Sequence, residues 1–240
     1  KTIAILLVAV WFFVAAPSAS AALTQDNFWF RDDDGTESGA TGLGSGDYAA
    51  NTAVTNIAGG TAFRLRLGIK ATSVSENISP RIEFKQGSDC TTGIWTVITS
   101  STSNFSLNLS SNFNDGAATT KQITSGQFTA GKILESTNPA SSLSLSANRS
   151  TEYEWSLKAA ATNPLDTTYA FRVTNNGTAL TTYSQCATLT TKLSVPPPTA
   201  VVWAQTNFRF RDDDGGEISA TGWGPENVGE NENVIIRRTE

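Results

Sequence analysis

The chain of 240 residues is 39% hydrophobic, which is enough for one full core in a domain of ordinary size. Only 16% of its residues are charged, the formal net charge is -5, and Lys and Arg do not cluster, so a nucleic-acid ligand is excluded. Histidine is absent, which removes Ser-His and Cys-His nucleophile pairs and histidine metal sites. A carboxylate pair for glycoside hydrolysis is formally open, but the acidic residues cluster in a turn, and we expect a protein that is not an enzyme.

The first 22 residues have the composition of a secretory signal peptide. Lys1 is followed by an apolar run over Ile3–Ala16, then by Pro17 and small residues that offer an A-x-A cleavage site at Ala19–Ala21. We therefore predict a signal peptide over residues 1–22 and a secreted or cell-surface protein. The alternative is a hydrophobic helix that is retained and packs into the core of an extracellular filament.

A strand followed by an acidic turn opens the chain after this segment. In Asn27–Arg31, Phe28 and Phe30 share one face while Trp29 and Arg31 share the other, because successive side chains of a strand alternate. This arrangement predicts a buried phenylalanine face and a variable outer face. The Asp-Asp-Asp-Gly run that follows ends the strand in a turn.

The clearest period-two pattern lies in Ala62–Lys70, where apolar residues alternate with Arg64, Arg66 and Gly68. The two arginines can bind an anion or pair with the acidic turn. As outward residues of a half-buried strand, however, they need no special role.

Shorter patterns predict the other strands. They lie at Arg81–Lys85, Ile94–Ile98, Phe105–Leu109, Gln127–Leu134, Leu143–Leu145, Thr151–Ala159 and Thr168–Thr174. Asn175-Asn176-Gly177 then supplies a hairpin turn that returns the chain through Thr178 to Leu193. About nine short strands between Gly, Asn and Ser clusters, with no sustained helical stripe outside the first segment, are typical of a β-sandwich.

The spacing of Asp166, Tyr169, Phe171 and Val173 resembles the tyrosine-corner region of immunoglobulin-like domains. The Asp-to-Tyr spacing is one residue shorter than in antibody domains, so it supports the architecture and assigns no superfamily. The predicted fold class is all-β, an antiparallel immunoglobulin-like β-sandwich preceded by an N-terminal hydrophobic signal segment.

Cys90 and Cys186 are the two cysteines, and after export both would lie in an oxidising compartment. We predict one disulfide between them. Closing a loop of this length is worth up to about 4 to 5 kcal/mol in the chain-entropy model. Neither cysteine has a C-x-x-C partner, so a redox or zinc role is not expected.

A stretch of about twenty residues occurs twice, as Gln25–Gly44 and Gln205–Gly224, with the same residues in the same order at most positions. The repeat predicts a β-sandwich module over residues 23–193, a Pro-rich linker at 194–199 and the start of a second, incomplete module at 200–240. We expect the reading frame to continue beyond residue 240. The alternative is a tail that adds a strand to another subunit.

Both copies of the repeat contain the motif R-D-D-D-G-x-E. Ca²⁺ takes six to eight oxygen ligands, and adjacent carboxylates on a Gly-containing turn are one way to collect them. The alternative is a polar turn whose Asp side chains accept backbone amide hydrogen bonds. The candidate calcium ligands are Asp32, Asp33, Asp34 and Glu37 in the first copy and Asp212, Asp213, Asp214 and Glu217 in the second.

The tryptophans offer a second kind of site. An exposed row of them would stack on sugar rings, although most tryptophans of a sandwich belong to its core. The candidates for such a platform are Trp29, Trp95, Trp155, Trp203 and Trp223.

Four stretches stand out as motifs: N-F-x-F-R-D-D-D-G, A-F-R-L-R-L, N-D-G-A-A-T-T at Asn114–Thr120, and T-E-Y-E-W-S-L-K-A followed by Y-A-F-R-V-T-N-N-G. Together they resemble a module that recurs in large, mostly uncharacterised secreted surface proteins of bacteria. The resemblance implies an exported β-sandwich used in series and carries over no ligand and no functional residue.

These features predict a secreted or cell-surface structural or adhesive protein built from tandem modules, with calcium as the candidate ligand of the acidic turns. Its partners would be neighbouring copies of the module, with surface glycans or proteins as further candidates. The alternatives are a filament subunit, assembled through the hydrophobic segment or by strand exchange of the tail, and a carbohydrate-binding module.

Overall fold

A computed structural model describes residues 22–44, 46–192 and 215–216. The chain divides into two compact units, Lys1–Ser194 and Val195–Glu240, and the first contains every strand described below. The predicted signal segment up to residue 21, the linker and nearly all of the second repeat lie outside the described residues.

The described part of the chain forms fifteen strands and no helix. Their bounds are β1 Leu23–Asp32, β2 Val54–Ile57, β3 Ala62–Ala71, β4 Glu76–Ile78, β5 Pro80–Gln86, β6 Thr96–Val97, β7 Phe105–Leu107, β8 Gln127–Phe128, β9 Ile133–Leu134, β10 Leu143–Leu145, β11 Arg149–Ala159, β12 Thr168–Asn175, β13 Thr178–Ala179, β14 Thr182–Tyr183 and β15 Ala187–Thr191. The all-β prediction is confirmed for these residues.

Two sheets carry the fold. The first has the order β14-β1-β3-β11-β7, with β8 and β9 also paired to β11, and its three long central strands are antiparallel. The second has the order β2-β15-β12-β5-β6, with β13 paired to β12. A separate pair joins β4 and β10. The pairings of β1 with β14, of β11 with β8 and β9, and of β15 with β2 are parallel, so the predicted antiparallel pattern holds for the long strands and fails for these four pairings.

The sheets pack face to face through their apolar sides, the arrangement of a β-sandwich. Phe30 of the first sheet meets Phe171 of the second with their ring centroids 5.7 Å apart. Phe105 lies 4.9 Å from Phe171 and 6.2 Å from Phe63, so its ring contacts both sheets. Trp155 is fully buried on the same inner face. Period-two alternation assigned these inward faces correctly because the side-chain period of a strand is a local property.

Glycines shorten or divide two of the predicted strands. The strand predicted at Ile94–Ile98 is only β6, because Gly93 takes φ +94 and Ile94 turns into solvent, 92% exposed. The strand predicted at Gln127–Leu134 is divided into β8 and β9. A Cβ on Gly131, between the two, would lie 2.1 Å from the carbonyl oxygen of Glu152, so the chain passes too close to β11 for a side chain.

The hairpin turn after β12 is confirmed. Asn175 pairs with Thr178, and Asn176 and Gly177 both take positive φ, as a two-residue turn requires. Tyr169 is the tyrosine of the predicted corner region. Its hydroxyl accepts a hydrogen bond from the side-chain amide of Asn104, 65 positions away, so this contact is a long-range one.

The chain enters and leaves the sandwich at opposite ends. The end at which the chain enters is called the proximal end, and there Leu23 of β1 pairs with Ala71. At the distal end, Lys192 donates its backbone N–H to Ile57, and the following turn at Gly60 bonds to Ala159. The ten residues of β3 span the distance between these ends, about 33 Å at 3.3 Å per residue.

Replacing Phe30 with alanine should lower the free energy of unfolding by about 3 to 5 kcal/mol, because the ring is buried between the sheets and its loss leaves a cavity. Urea unfolding followed by tryptophan fluorescence measures the change. Leu109→Ala is the control, since Leu109 is 76% exposed. Equal effects of the two substitutions would contradict the packing described.

Candidate functional site

Five charged side chains are completely buried on the outer face of the first sheet. They are Arg31, Arg64, Arg66, Glu152 and Glu154, each with 0% exposure. The register brings them together, since Arg31 lies opposite Arg64 and Glu154 lies opposite Arg66 on neighbouring strands. The prediction that Arg64 and Arg66 are outward residues of a half-buried strand is correct for the face and wrong for the burial.

Two loops cover this face and exclude water from it. The first is the acidic turn after β1, and the second comes from the segment between β7 and β9. Gly68 makes room for the second loop, because a Cβ there would lie 2.7 Å from Thr124 Cγ2. Both loops are distant in sequence from β11, so the alternating pattern of β3 and β11 contains no sign of them.

Glu154 is at the centre of the cluster. Its carboxylate accepts a hydrogen bond from Arg31 Nη1 at 2.9 Å and another from Arg66 Nε at 2.6 Å, and Arg64 Nη1 lies 3.8 Å away. Arg31 also donates to the carbonyl oxygens of Ala40 and Glu37. One carboxylate therefore joins three arginines from two strands.

Glu152 fastens the second loop. It pairs with Arg66 Nη1 at 2.8 Å and accepts the backbone N–H groups of Gln122, Ile123 and Thr124. Three successive amides on one carboxylate hold the loop against the sheet, and charge-assisted bonds of this kind are stronger than neutral ones.

The acidic turn contributes two further carboxylates to the cluster. Asp33 pairs with Arg64 at 2.7 Å and also accepts from Ser110 and Asn112. Glu37 pairs with Arg66 and accepts the backbone N–H of Thr120. Of the roles considered for Arg64 and Arg66, the structure shows pairing with the acidic turn.

The other two carboxylates of the motif act within the turn itself. Asp34 accepts the backbone N–H and the hydroxyl of Thr41, and Asp32 accepts the backbone N–H of Gly44. The hydrogen bonds from Thr41 hold the pKa of Asp34 below its usual value, whereas burial raises the pKa of Asp32. The four carboxylates thus point to four different sets of partners.

This divergence bears on the calcium hypothesis. Within the described residues, no group of three or more His, Cys, Asp or Glu side chains is arranged to hold a metal ion. Asp32, Asp33, Asp34 and Glu37 lie within six residues of the sequence, and each carboxylate is bonded to different protein groups. The candidate ligands Asp212, Asp213, Asp214 and Glu217 of the second copy lie outside the described residues. Calcium binding stays a prediction.

The cluster contains three guanidinium groups and four carboxylates, so it has one more negative than positive group. Burial alone would lower the pKa of Arg66, but Glu154 and Glu37 raise it above its ordinary value. Burial lowers the pKa of Arg31 despite the attraction of Glu154. The dense hydrogen bonding compensates much of the cost of removing these charges from water.

Gln25, the first residue of the repeated stretch, is a second buried polar contact. Its amide accepts the backbone N–H of Val173 in the other sheet at 2.8 Å and donates to the carbonyl of Gln185 at 2.9 Å. It therefore ties the two sheets together. The sequence prediction missed this role, and the identity of Gln25 with Gln205 was the signal that could have found it.

The residues shared by the two copies of the repeat have defined roles in the first copy. Most positions shared by the two copies make a specific contact in the first, in the core, the cluster or the turn. The counterparts in the second copy include Gln205, Phe208, Arg211 and Thr221.

Sequence reasoning did not identify Glu152 or Glu154, because they occupy the polar positions of an alternating strand and such positions are usually exposed to solvent.

The tryptophans do not form one platform. Trp155 is fully buried, and Trp29 lies on the first sheet, where it donates its indole N–H to Tyr48 and receives Arg31 over its ring at 4.7 Å. Trp95 lies beside the second sheet, 4.0 Å from the guanidinium of Arg172. Trp203 and Trp223 lie outside the described residues.

The predicted disulfide is confirmed, since Cys90 and Cys186 are bonded and no described cysteine is free. The bond joins the loop after β5 to the residue before β15. No helix long and apolar enough to cross a membrane occurs in the part of the chain that the structure describes.

Comparison with known proteins adds no family to these observations. No family model matches the chain, and neither a curated protein nor a solved structure matches it.

Replacing Glu154 with glutamine should lower the free energy of unfolding by about 3 to 5 kcal/mol, because buried arginines would lose their shared carboxylate. Chemical unfolding measures the loss. Lys158→Gln is the control, since Lys158 is exposed on the same strand. A cost within about 0.5 kcal/mol, as for ordinary surface changes, would show that the cluster is not stabilising.

A pH dependence follows from Glu37. Burial alone would raise its pKa, but Arg66 and Thr120 lower it below the usual 4.5. A carboxylate whose pKa is lower in the folded state than in the unfolded state stabilises the fold fully at a pH above its unfolded-state pKa. This stabilisation is lost as the pH falls through the folded-state pKa. The melting temperature should therefore differ between wild type and Glu37→Gln at about pH 6 and differ less at about pH 3. A constant difference over this range would contradict the assignment.

Proposed function

We propose that this chain is part of a secreted or cell-surface structural protein, built from tandem β-sandwich modules that act as spacers and display units. The observation that carries the proposal is the position of the chain ends. The chain enters the sandwich beside Ala71 and leaves it beyond Ile57 at the opposite end. Modules joined in this way add their length in series, about 33 Å each along the strands.

The internal repeat supports the series arrangement. The second stretch retains counterparts of the three cluster residues that the first stretch supplies, Arg31, Asp33 and Glu37. Residues of this kind are needed to build the same module again. The resemblance to recurrent modules of secreted bacterial surface proteins points the same way.

The disulfide supports export, because such bonds persist in oxidising compartments. We further propose that the sandwich is immunoglobulin-like and that residues 1–22 are the signal for export. A non-catalytic role is supported by the carboxylates, since Glu152 and Glu154 are buried and paired with arginine and do not face a substrate cleft.

The proposal is tested on the native protein from its source cells, by fractionation and intact mass measurement before and after reduction. We expect it in the secreted or surface fraction, with a mass well above that of 240 residues and one disulfide per module. A cytoplasmic, reduced protein would overturn the proposal. A surface protein with the mass of one module plus tail would favour the filament alternative.

A glycan array separates the remaining alternative from the spacer role. Trp95 is half-buried beside Arg172 and Lys85, and we expect no saturable glycan binding by the full chain. Binding that is lost in Trp95→Ala but kept in Trp29→Ala would favour a carbohydrate-binding module on the second sheet.

A further inference from the structure

The two chain ends define how a pulling force would cross the module. A force applied through the linkers enters at Ala22 and leaves at Lys192, at opposite ends of the sandwich. It acts along the strands, whereas the hydrogen bonds between β1 and β3 are perpendicular to them. These bonds therefore carry the load together, in shear, and must break at the same time.

β1 is also tied to the rest of the module by side chains near both of its ends. Near its start, Gln25 bonds to Val173 of the other sheet and to the carbonyl of Gln185. Near its end, Arg31 bonds to Glu154 in the buried cluster. Sliding β1 towards the proximal end would break both contacts as well as its pairing with β3.

The disulfide removes most of the module from the path of the force. Cys186 immediately precedes β15, the last strand, and Cys90 follows β5. Force entering from the C-terminal side passes from Cys186 directly to Cys90, so residues 91–185 are bypassed. Gln25 bonds to the residue before Cys186, which places a contact of β1 next to the covalent bypass.

We propose that the module bears tension, with β1 as a shear clamp and the Cys90–Cys186 disulfide as the limit on how far a broken module extends. This further role builds on the proposed spacer function. A module that opens under load releases a short segment while the bypassed residues stay protected from the force.

The lengths released are set by the residue numbers. Ala22 and Lys192 are 170 positions apart, and the disulfide spans 96 of these, which leaves 74. At about 3.5 Å per extended residue, less the folded length of about 33 Å, opening should release about 230 Å with the disulfide intact and about 560 Å without it.

The first experiment pulls the full chain in optical tweezers through peptide tags at its two termini. We expect the module to open in a step of about 230 Å, which lengthens by about 340 Å in a reducing agent and in the double variant Cys90→Ser, Cys186→Ser. The difference depends only on the bypassed residues. A long step under oxidising conditions would overturn the disulfide limit.

The second experiment changes the direction of pulling on the same chain. A handle attached by click chemistry to an azide-bearing residue in place of the exposed Ser73 lies at the proximal end, as the N-terminal tag does. Force between them peels β1 from β3 one pair at a time. We expect opening at clearly lower force than between the two termini, and equal forces would overturn the shear clamp.

The third experiment compares two matched side chains. Gln25 and Asn163 both have buried side-chain amides with two hydrogen bonds, but both bonds of the Asn163 side chain go to Asn104, inside the bypassed segment. Gln25→Ala should raise the rate of opening at constant force about thirtyfold, the factor for two hydrogen bonds of ordinary net strength. Asn163→Ala should lower thermal stability and leave that rate unchanged. Equal rate increases in the two variants would overturn the role of Gln25.

These measurements are independent of the cellular test. A chain that passes the pulling experiments but proves to be cytoplasmic would retain the mechanical property and lose the proposed function. A surface protein of tandem modules that opens easily from its termini would retain the function and lose the clamp.

Discussion

The buried carboxylate of Glu154 is the interaction on which the outer face of the first sheet depends. It joins arginines from β1 and β3 in a place that water does not reach. Such a group is costly to bury and is tolerated only when its charges and hydrogen bonds are matched. The cluster therefore constrains the two covering loops, because a loop in another position would leave charges without partners.

This constraint accounts for the acidic motif of the first copy. Asp33 and Glu37 neutralise arginines of the sheet, while Asp32 and Asp34 shape the turn that delivers them. A run of carboxylates that suggests a metal site in the sequence is, in the first copy, divided among protein partners. The same residues contribute to the fold and to the attachment of β1, so stability and the proposed load-bearing role have a common physical origin.

The topology determines at which ends of the sandwich the chain enters and leaves. β1 and β15, the first and last strands, belong to different sheets and lead to opposite ends of the sandwich. Gln25 links these sheets at the start of β1, and the disulfide lies beside the residue to which it bonds. The proposed length in series, resistance along the strand axes and limited extension would all follow from this one arrangement.

The sequence by itself determined the all-β class, the inward faces of the long strands, the hairpin at Asn176-Gly177 and the pairing of Cys90 with Cys186. Alternation and turn chemistry are local, and two cysteines allow one intrachain pairing. Only the tertiary structure decided that Arg64 and Arg66 are buried and that Glu152 and Glu154 pair with Arg66. It alone also decided that Gln25 links the two sheets. The physical reason is that burial of an outer face depends on loops from distant parts of the chain, and no local pattern records which loops will cover it.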